Sequence, residues 1–156
     1  GKARIPLKID LTTGDKLTPS EINYRYGLLF ENDKIEILSY NLETLLAEKL
    51  ETIVSRSKTN TRMRDFYDVY ILTLEFKEKI NINLLADALT KTAKSRGTYK
   101  SIKNGRSIII DTFNSEVILN HWNRYRKKFK YAKEIEFSNL EKVIINLWNR
   151  IEDDYI

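Results

Sequence analysis

From Ile5 to Leu11 apolar and polar residues alternate, with Ile5, Leu7, Ile9 and Leu11 set against Pro6, Lys8, Asp10 and Thr12. A period of two puts these apolar side chains on one face of a strand, which Gly14-Asp15 ends. Pro6 cannot donate to a ladder, so the strand begins at a sheet edge. A second alternating stretch over residues 23–30 is separated by Glu31-Asn32-Asp33 from Lys34-Ile35-Glu36-Ile37-Leu38, the pattern of a hairpin with a polar turn. Past Asn41, a suitable N-cap, the period lengthens to that of a helix. Leu42, Leu46, Leu50, Ile53 and Val54 form its apolar stripe as far as about Arg56.

A polar connector over residues 57–61 leads to a second helix with Met63, Phe66, Tyr67, Tyr70 and Leu74 spaced by three and four. A third helix is predicted over residues 83–96, stopped by Gly97 in a left-handed cap. Residues 98–113 carry no readable period. Ile118, Trp122, Tyr125 and Phe129 define a further amphipathic helix over residues 115–130, and Ser138 with Glu141 forms a capping-box pattern that opens a last one. Strands come first and helices after. That order predicts an α+β fold, because a doubly wound parallel sheet needs its helices interleaved between strands.

Composition removes several chemistries. The 156 residues contain no cysteine and one histidine, His121, which excludes disulfide scaffolds, thiolate zinc sites, Cys-His pairs and Ser-His-Asp catalysis with a second ring. Carboxylates, lysines and arginines must carry any reaction. No run of about 18 apolar residues and no leader pattern occurs, so a cytoplasmic protein without membrane contact is expected. The chain opens on Gly1 and its single methionine is Met63, from which a start inside a longer protein is expected.

Charge is uneven. Residues 91–133 hold 12 Lys and Arg against Asp111 and Glu116, while the whole chain carries +5. With Tyr99, Trp122, Tyr125 and Tyr131 interspersed, this segment suits a phosphate-rich partner with unpaired bases, Arg124, Lys127 and Lys128 being candidate contacts. The other reading makes Trp122, Tyr125 and Phe129 core, and the lysines a solvated face.

Four further positions have two readings each. Asp10, rigidly aimed from a strand, is either a surface carboxylate or a Mg²⁺ ligand. Lys49, at the margin of the first helix's stripe, either snorkels to water or reaches inward to a phosphate. Asp65 and Asp68 share a flank of the second helix opposite its apolar stripe. With Arg62 and Arg64 they form either a solvated ion-pair face or a site that grips substrate phosphates.

Three stretches taken together carry a resemblance: Leu7-Lys8-Ile9-Asp10-Leu11-Thr12-Thr13-Gly14-Asp15 with Leu17-Thr18-Pro19, then Tyr40-Asn41-Leu42-Glu43-Thr44-Leu45-Leu46-Ala47-Glu48-Lys49-Leu50-Glu51, then Asn60-Thr61-Arg62-Met63-Arg64-Asp65-Phe66-Tyr67-Asp68. They resemble the AbiEii/AbiGii nucleotidyltransferase toxin family over roughly residues 5–75, with a less distinctive likeness from Trp122 to Tyr131. The resemblance implies a remnant of a polymerase β-like nucleotidyltransferase core in residues 1–75 and a helical lobe in residues 76–156. It further implies a toxin of a toxin–antitoxin or phage-defence system. Such an enzyme takes an NTP, uses Mg²⁺, adds nucleotides to an acceptor such as tRNA and is countered by a cognate antitoxin. The family's functional lysine and aspartate fall on Lys49 and Asp65, and Asp10 sits where the fold class places a further acidic residue; Arg62, Arg64 and Asp68 are then the candidate substrate contacts and Asp10 the candidate metal ligand.

One departure follows. The family's opening motif, a Gly-Ser turn before a strand carrying Asp-x-Asp, has no counterpart here; Glu134-Ile135-Glu136 has the spacing but follows the helices. The expectation is that this piece alone lacks activity. A non-catalytic basic helical module that binds RNA or an antitoxin is the alternative. The two readings differ in whether Asp10, Lys49 and Asp65 surround one cleft.

Overall fold

The computed structural model describes residues 18–20, 22–27 and 34–155. The predicted first strand, with Asp10, lies outside them, as does the turn over residues 31–33. Strands β1 (Ile22–Gly27) and β2 (Lys34–Ser39) pair antiparallel, with Ile22 opposite Ser39 and Gly27 opposite Lys34. Seven helices follow: α1 (Leu42–Arg56), α2 (Met63–Glu75), α3 (Ile82–Arg96), α4 (Tyr99–Ile102), α5 (Gly105–Phe113), α6 (Glu116–Lys128) and α7 (Phe137–Tyr155). The fold is α+β, a small strand pair followed by helices.

Helix α1 starts where the sequence predicts. The Asn41 side chain accepts the Thr44 N–H at 2.8 Å, satisfying one of the donors that a helix start leaves open. Thr44 also ties the chain before the hairpin to this start, its hydroxyl donating to the Thr18 carbonyl at 3.1 Å and accepting the Thr18 N–H at 3.2 Å. Helix α3 is capped by Asn81 and ends at Gly97 with φ +72°, the left-handed stop predicted for it. Helix α7 corrects the capping-box expectation. It opens at Phe137, so Ser138 lies within its first turn, and the Glu136 carbonyl accepts the N–H of Leu140.

One apolar core runs through all the long helices. Leu46, Leu50 and Ile53 of α1, Phe66 and Val69 of α2, Leu85 and Leu89 of α3, Ile109 of α5, Ile118 and Trp122 of α6, and Leu140, Ile144 and Trp148 of α7 are each fully buried. The buried stripe of α2 is Met63, Phe66, Val69 and Thr73; Leu74, placed on the stripe by spacing alone, is about half exposed. Helices α4 and α5 occupy the stretch that showed no period. Gly105 opens α5 against Trp148, where a β-carbon would stand 1.9 Å from the indole Cζ2. Only hydrogen fits there.

Candidate active site

The site lies where α1 passes α2, and a short connector fixes that crossing. Asn60 is fully buried. Its side-chain oxygen accepts the Arg62 N–H at 2.8 Å and its amide donates to the Thr52 carbonyl at 3.3 Å, so the entry to α2 is bound to the last turns of α1. Asp65 then falls in the first turn of α2, where unpaired N–H groups and the helix dipole favour a carboxylate.

Lys49, in the middle of α1, is mostly covered, and its Nζ donates to Asp68 Oδ2 at 2.7 Å. Asp65 Oδ1 is 3.6 Å from the same ammonium. On the far side of Asp65, Arg62 Nε stands 3.0 Å from Oδ2, with no hydrogen bond to that buried oxygen. The guanidinium is therefore side-on: it neutralises the carboxylate and leaves its acceptor capacity open. Arg64 Nε lies 3.7 Å from Asp68 Oδ2. Three cations thus face two carboxylates, a constellation with one formal positive charge in excess.

This constellation lines a cleft of about 730 Å³ whose other walls include Leu45, Ile71, Leu72 and Tyr125. Lys49, Arg62 and Asp65 also border an adjoining cleft of about 490 Å³, lined beyond them by Tyr40, Glu48, Arg56 and Arg96. With Leu45, which also lines both, the three residues form the wall between the two clefts.

Residues that the sequence reading passed over hold α1 in place. Glu51 is 2% exposed, accepts the Arg96 guanidinium at 2.6 Å and the Thr98 hydroxyl at 2.8 Å, and so joins α1 to the end of α3. Glu43 accepts the Asn81 N–H at 2.9 Å. A signal existed for Glu51: it stands four residues after Ala47, on the buried face, where a carboxylate needs a partner.

Two expectations are corrected. Asp65 and Asp68 do not form a solvated face: the buried stripe of α2 runs through Val69, next to Asp65 on the helix surface, and the Asp65 side chain is 6% and the Asp68 side chain 21% exposed. Lys49 does not snorkel to water either, because those carboxylates hold it. Lys49, Asp65, Asp68, Arg62 and Arg64 do converge, whereas Asp10 lies outside the described residues.

The aromatic residues divide. Trp122 is fully buried, donating its indole N–H to the Ile135 carbonyl at 3.2 Å, and is core. Tyr125 stacks on it at 5.4 Å and shares a 2.8 Å hydroxyl–hydroxyl hydrogen bond with Tyr131. Burial and this bond push the Tyr125 hydroxyl well above its ordinary range, with nearby Asp68 adding to the rise and Arg64 opposing it. Burial likewise raises Tyr67, with smaller contributions from Tyr131 and Asp68.

The basic residues divide as well. Arg124, Lys127 and Lys128 are exposed on α6. Lys127 lines a groove of about 670 Å³ with Asn123, Arg126, Lys130, Lys133 and Glu134. Arg124, three residues before Lys127 and four before Lys128, lies next to both on the helix surface.

Among the described residues, no group of three or more acidic or imidazole side chains converges as a metal site. Asp65 and Asp68 are each committed to cations, so by themselves they do not fit a divalent ion. The cluster instead suits an anion, which can recruit Lys49, Arg62 and Arg64.

An α+β chain with a cationic cleft between its first two long helices matches one family model over residues 1–143, that of the nucleotidyl transferase AbiEii toxin of type IV toxin–antitoxin systems. The match covers most of the chain, and the chain belongs to that family. No curated protein and no solved structure matches it. Among the described residues, no helix is long and apolar enough to cross a membrane.

Proposed function

We propose that the cleft between α1 and α2 binds the triphosphate of an NTP, and that the natural gene product transfers a nucleotide from it to an RNA acceptor such as tRNA. The observation that carries this reading is the convergence of Lys49, Arg62 and Arg64 on one cleft whose carboxylates leave a positive charge over. Nucleotidyl transfer asks the protein for in-line positioning and for charge on the departing pyrophosphate more than for covalent help. Lys49 supplies a point charge and the two arginines supply planar donor forks.

Asp65, with one oxygen free of hydrogen bonds, positions Lys49 or accepts a substrate hydroxyl; Asp68 holds Lys49 until phosphate arrives. The expected cofactor is Mg²⁺, which neutralises a triphosphate when bound, and Asp10 is its proposed ligand. Arg124, Lys127 and Lys128 bind the acceptor's phosphates, and a cognate antitoxin checks the toxin in the cytoplasm, in a phage-defence setting.

The test is growth inhibition by the natural gene product carrying Lys49→Ala or Asp65→Asn, with folding checked by thermal melting. Both variants are expected to fold and to lose toxicity. Undiminished toxicity at matched expression removes these residues from the reaction.

A further inference from the structure

Beside the charged cleft stands an aromatic assembly that phosphate binding does not use. Tyr131, in the 3₁₀ turn Lys130–Ala132 after α6, is 51% exposed, an unusual degree for so large a ring. Its position is fixed from beneath and from the side: Phe129 stacks with it at 5.4 Å and 26°, Tyr67 of α2 lies 4.7 Å away, and its hydroxyl bonds to that of Tyr125. Tyr125 in turn lines the cleft that holds Lys49, Asp65 and Asp68. Lys128 lies over the Phe129 ring at 5.4 Å, adding a cation to the same rim.

A rigid, half-exposed ring at the edge of a cationic cleft has the properties of a base platform. Stacking needs a π-face held in place, so little side-chain freedom is lost when a base lands on it, and every base offers such a face. The hydrogen bond between the two hydroxyls pins Tyr131 to the cleft wall. Trp122 cannot serve in this way because it is fully buried.

We propose that Tyr131 stacks the nucleobase of a nucleotide whose phosphates occupy the Lys49–Arg62–Arg64 cleft, and that it does so with little discrimination among bases. The inference rests on the phosphate-binding reading of that cleft. A base could be presented by the NTP or by the end of the acceptor RNA, and the experiment separates these sources.

Binding to the natural gene product is measured by calorimetry with three probes: ATP, inorganic tripolyphosphate and a short single-stranded RNA. Tyr131→Ala is expected to weaken ATP binding about five- to hundredfold, the range for loss of one stacked base, while leaving tripolyphosphate binding unchanged. Tyr131→Phe keeps the ring and should retain most of the affinity. A loss confined to the RNA probe supports the platform with the acceptor as its source. Unchanged binding of both ATP and RNA in Tyr131→Ala overturns the proposal. If tripolyphosphate fails to bind, or binds equally to Lys49→Ala, the phosphate reading beneath the proposal fails instead. Thermal melting of both Tyr131 variants guards against a folding defect, and the exposure of the ring makes one unexpected.

Discussion

Lys49 is the residue on which both readings of the chain turn, and its closest partner is Asp68, with Asp65 further away. Removing one member of a covered ion pair leaves the other short of compensation, so Lys49→Ala is expected to cost about 1–3 kcal/mol of stability. That is tolerable in a domain of ordinary stability, about 5–15 kcal/mol. Asp65→Asn keeps shape and hydrogen-bonding capacity, which makes it the better variant for activity. Tyr125 and Tyr67 give a prediction with a sign. Their folded-state pKa values lie above the unfolded value near 10, so the stability they contribute is complete below pH 10. Above that pH the unfolded chain loses tyrosine protons first and stability falls. Melting temperature should decline more steeply from pH 10 to 11 in the parent chain than in Tyr125→Phe, which lacks the perturbed hydroxyl. Equal slopes would mean that this hydroxyl titrates normally.

At the scale of elements, the contact between α5 and α7 is the least forgiving. A β-carbon at Gly105 would overlap the Trp148 indole, a fully buried ring that cannot swing aside. Gly105→Ala is therefore expected to destabilise by about 1–3 kcal/mol, read as a lower denaturation midpoint, despite the better helix propensity of alanine. A midpoint at or above the parent's would show that α7 can yield. Gly105 also shows where sequence reading stops. Helices α1 and α3 were legible because a cap residue marks a start or an end, and α6 because one apolar face repeats along it. Residues 108–110 are three isoleucines in a row, and only Ile109 is fully buried; the choice among them is made by α6 and α7 and leaves no period. The candidate site was legible in membership and not in environment. Arg62, Arg64, Asp65 and Asp68 stand together in the sequence, but the burial of the two aspartates depends on α1 lying across them. Asn60, which sets that crossing, reads locally as part of a polar connector.

Over the whole molecule the basic segment, +10 across residues 91–133, is not one surface. Arg126 is taken up internally, bonding the Glu136 carboxylate at 2.7 Å and the Lys133 carbonyl at 2.7 Å. Lys127 lines the groove with Lys130 and Lys133 but also neighbours Arg124 on α6, and Lys128 lies over Phe129 at the aromatic rim of the cleft. If RNA runs along the rim to reach the cleft, these cations contribute unequally. Each phosphate contact to a single strand adds about 0.7 to the slope of log affinity against log salt. Replacing Arg124, Lys127 and Lys128 with alanine should then lower that slope by about 2.1 in a titration with a single-stranded RNA, whereas replacing Lys130 and Lys133 should leave it nearly unchanged. The reverse result would route the strand through the groove, away from Lys49, and an acceptor end would have to cross α6 to reach the triphosphate. Equal effects would describe a diffuse basic surface, the behaviour expected of a binding module whose cleft takes no part.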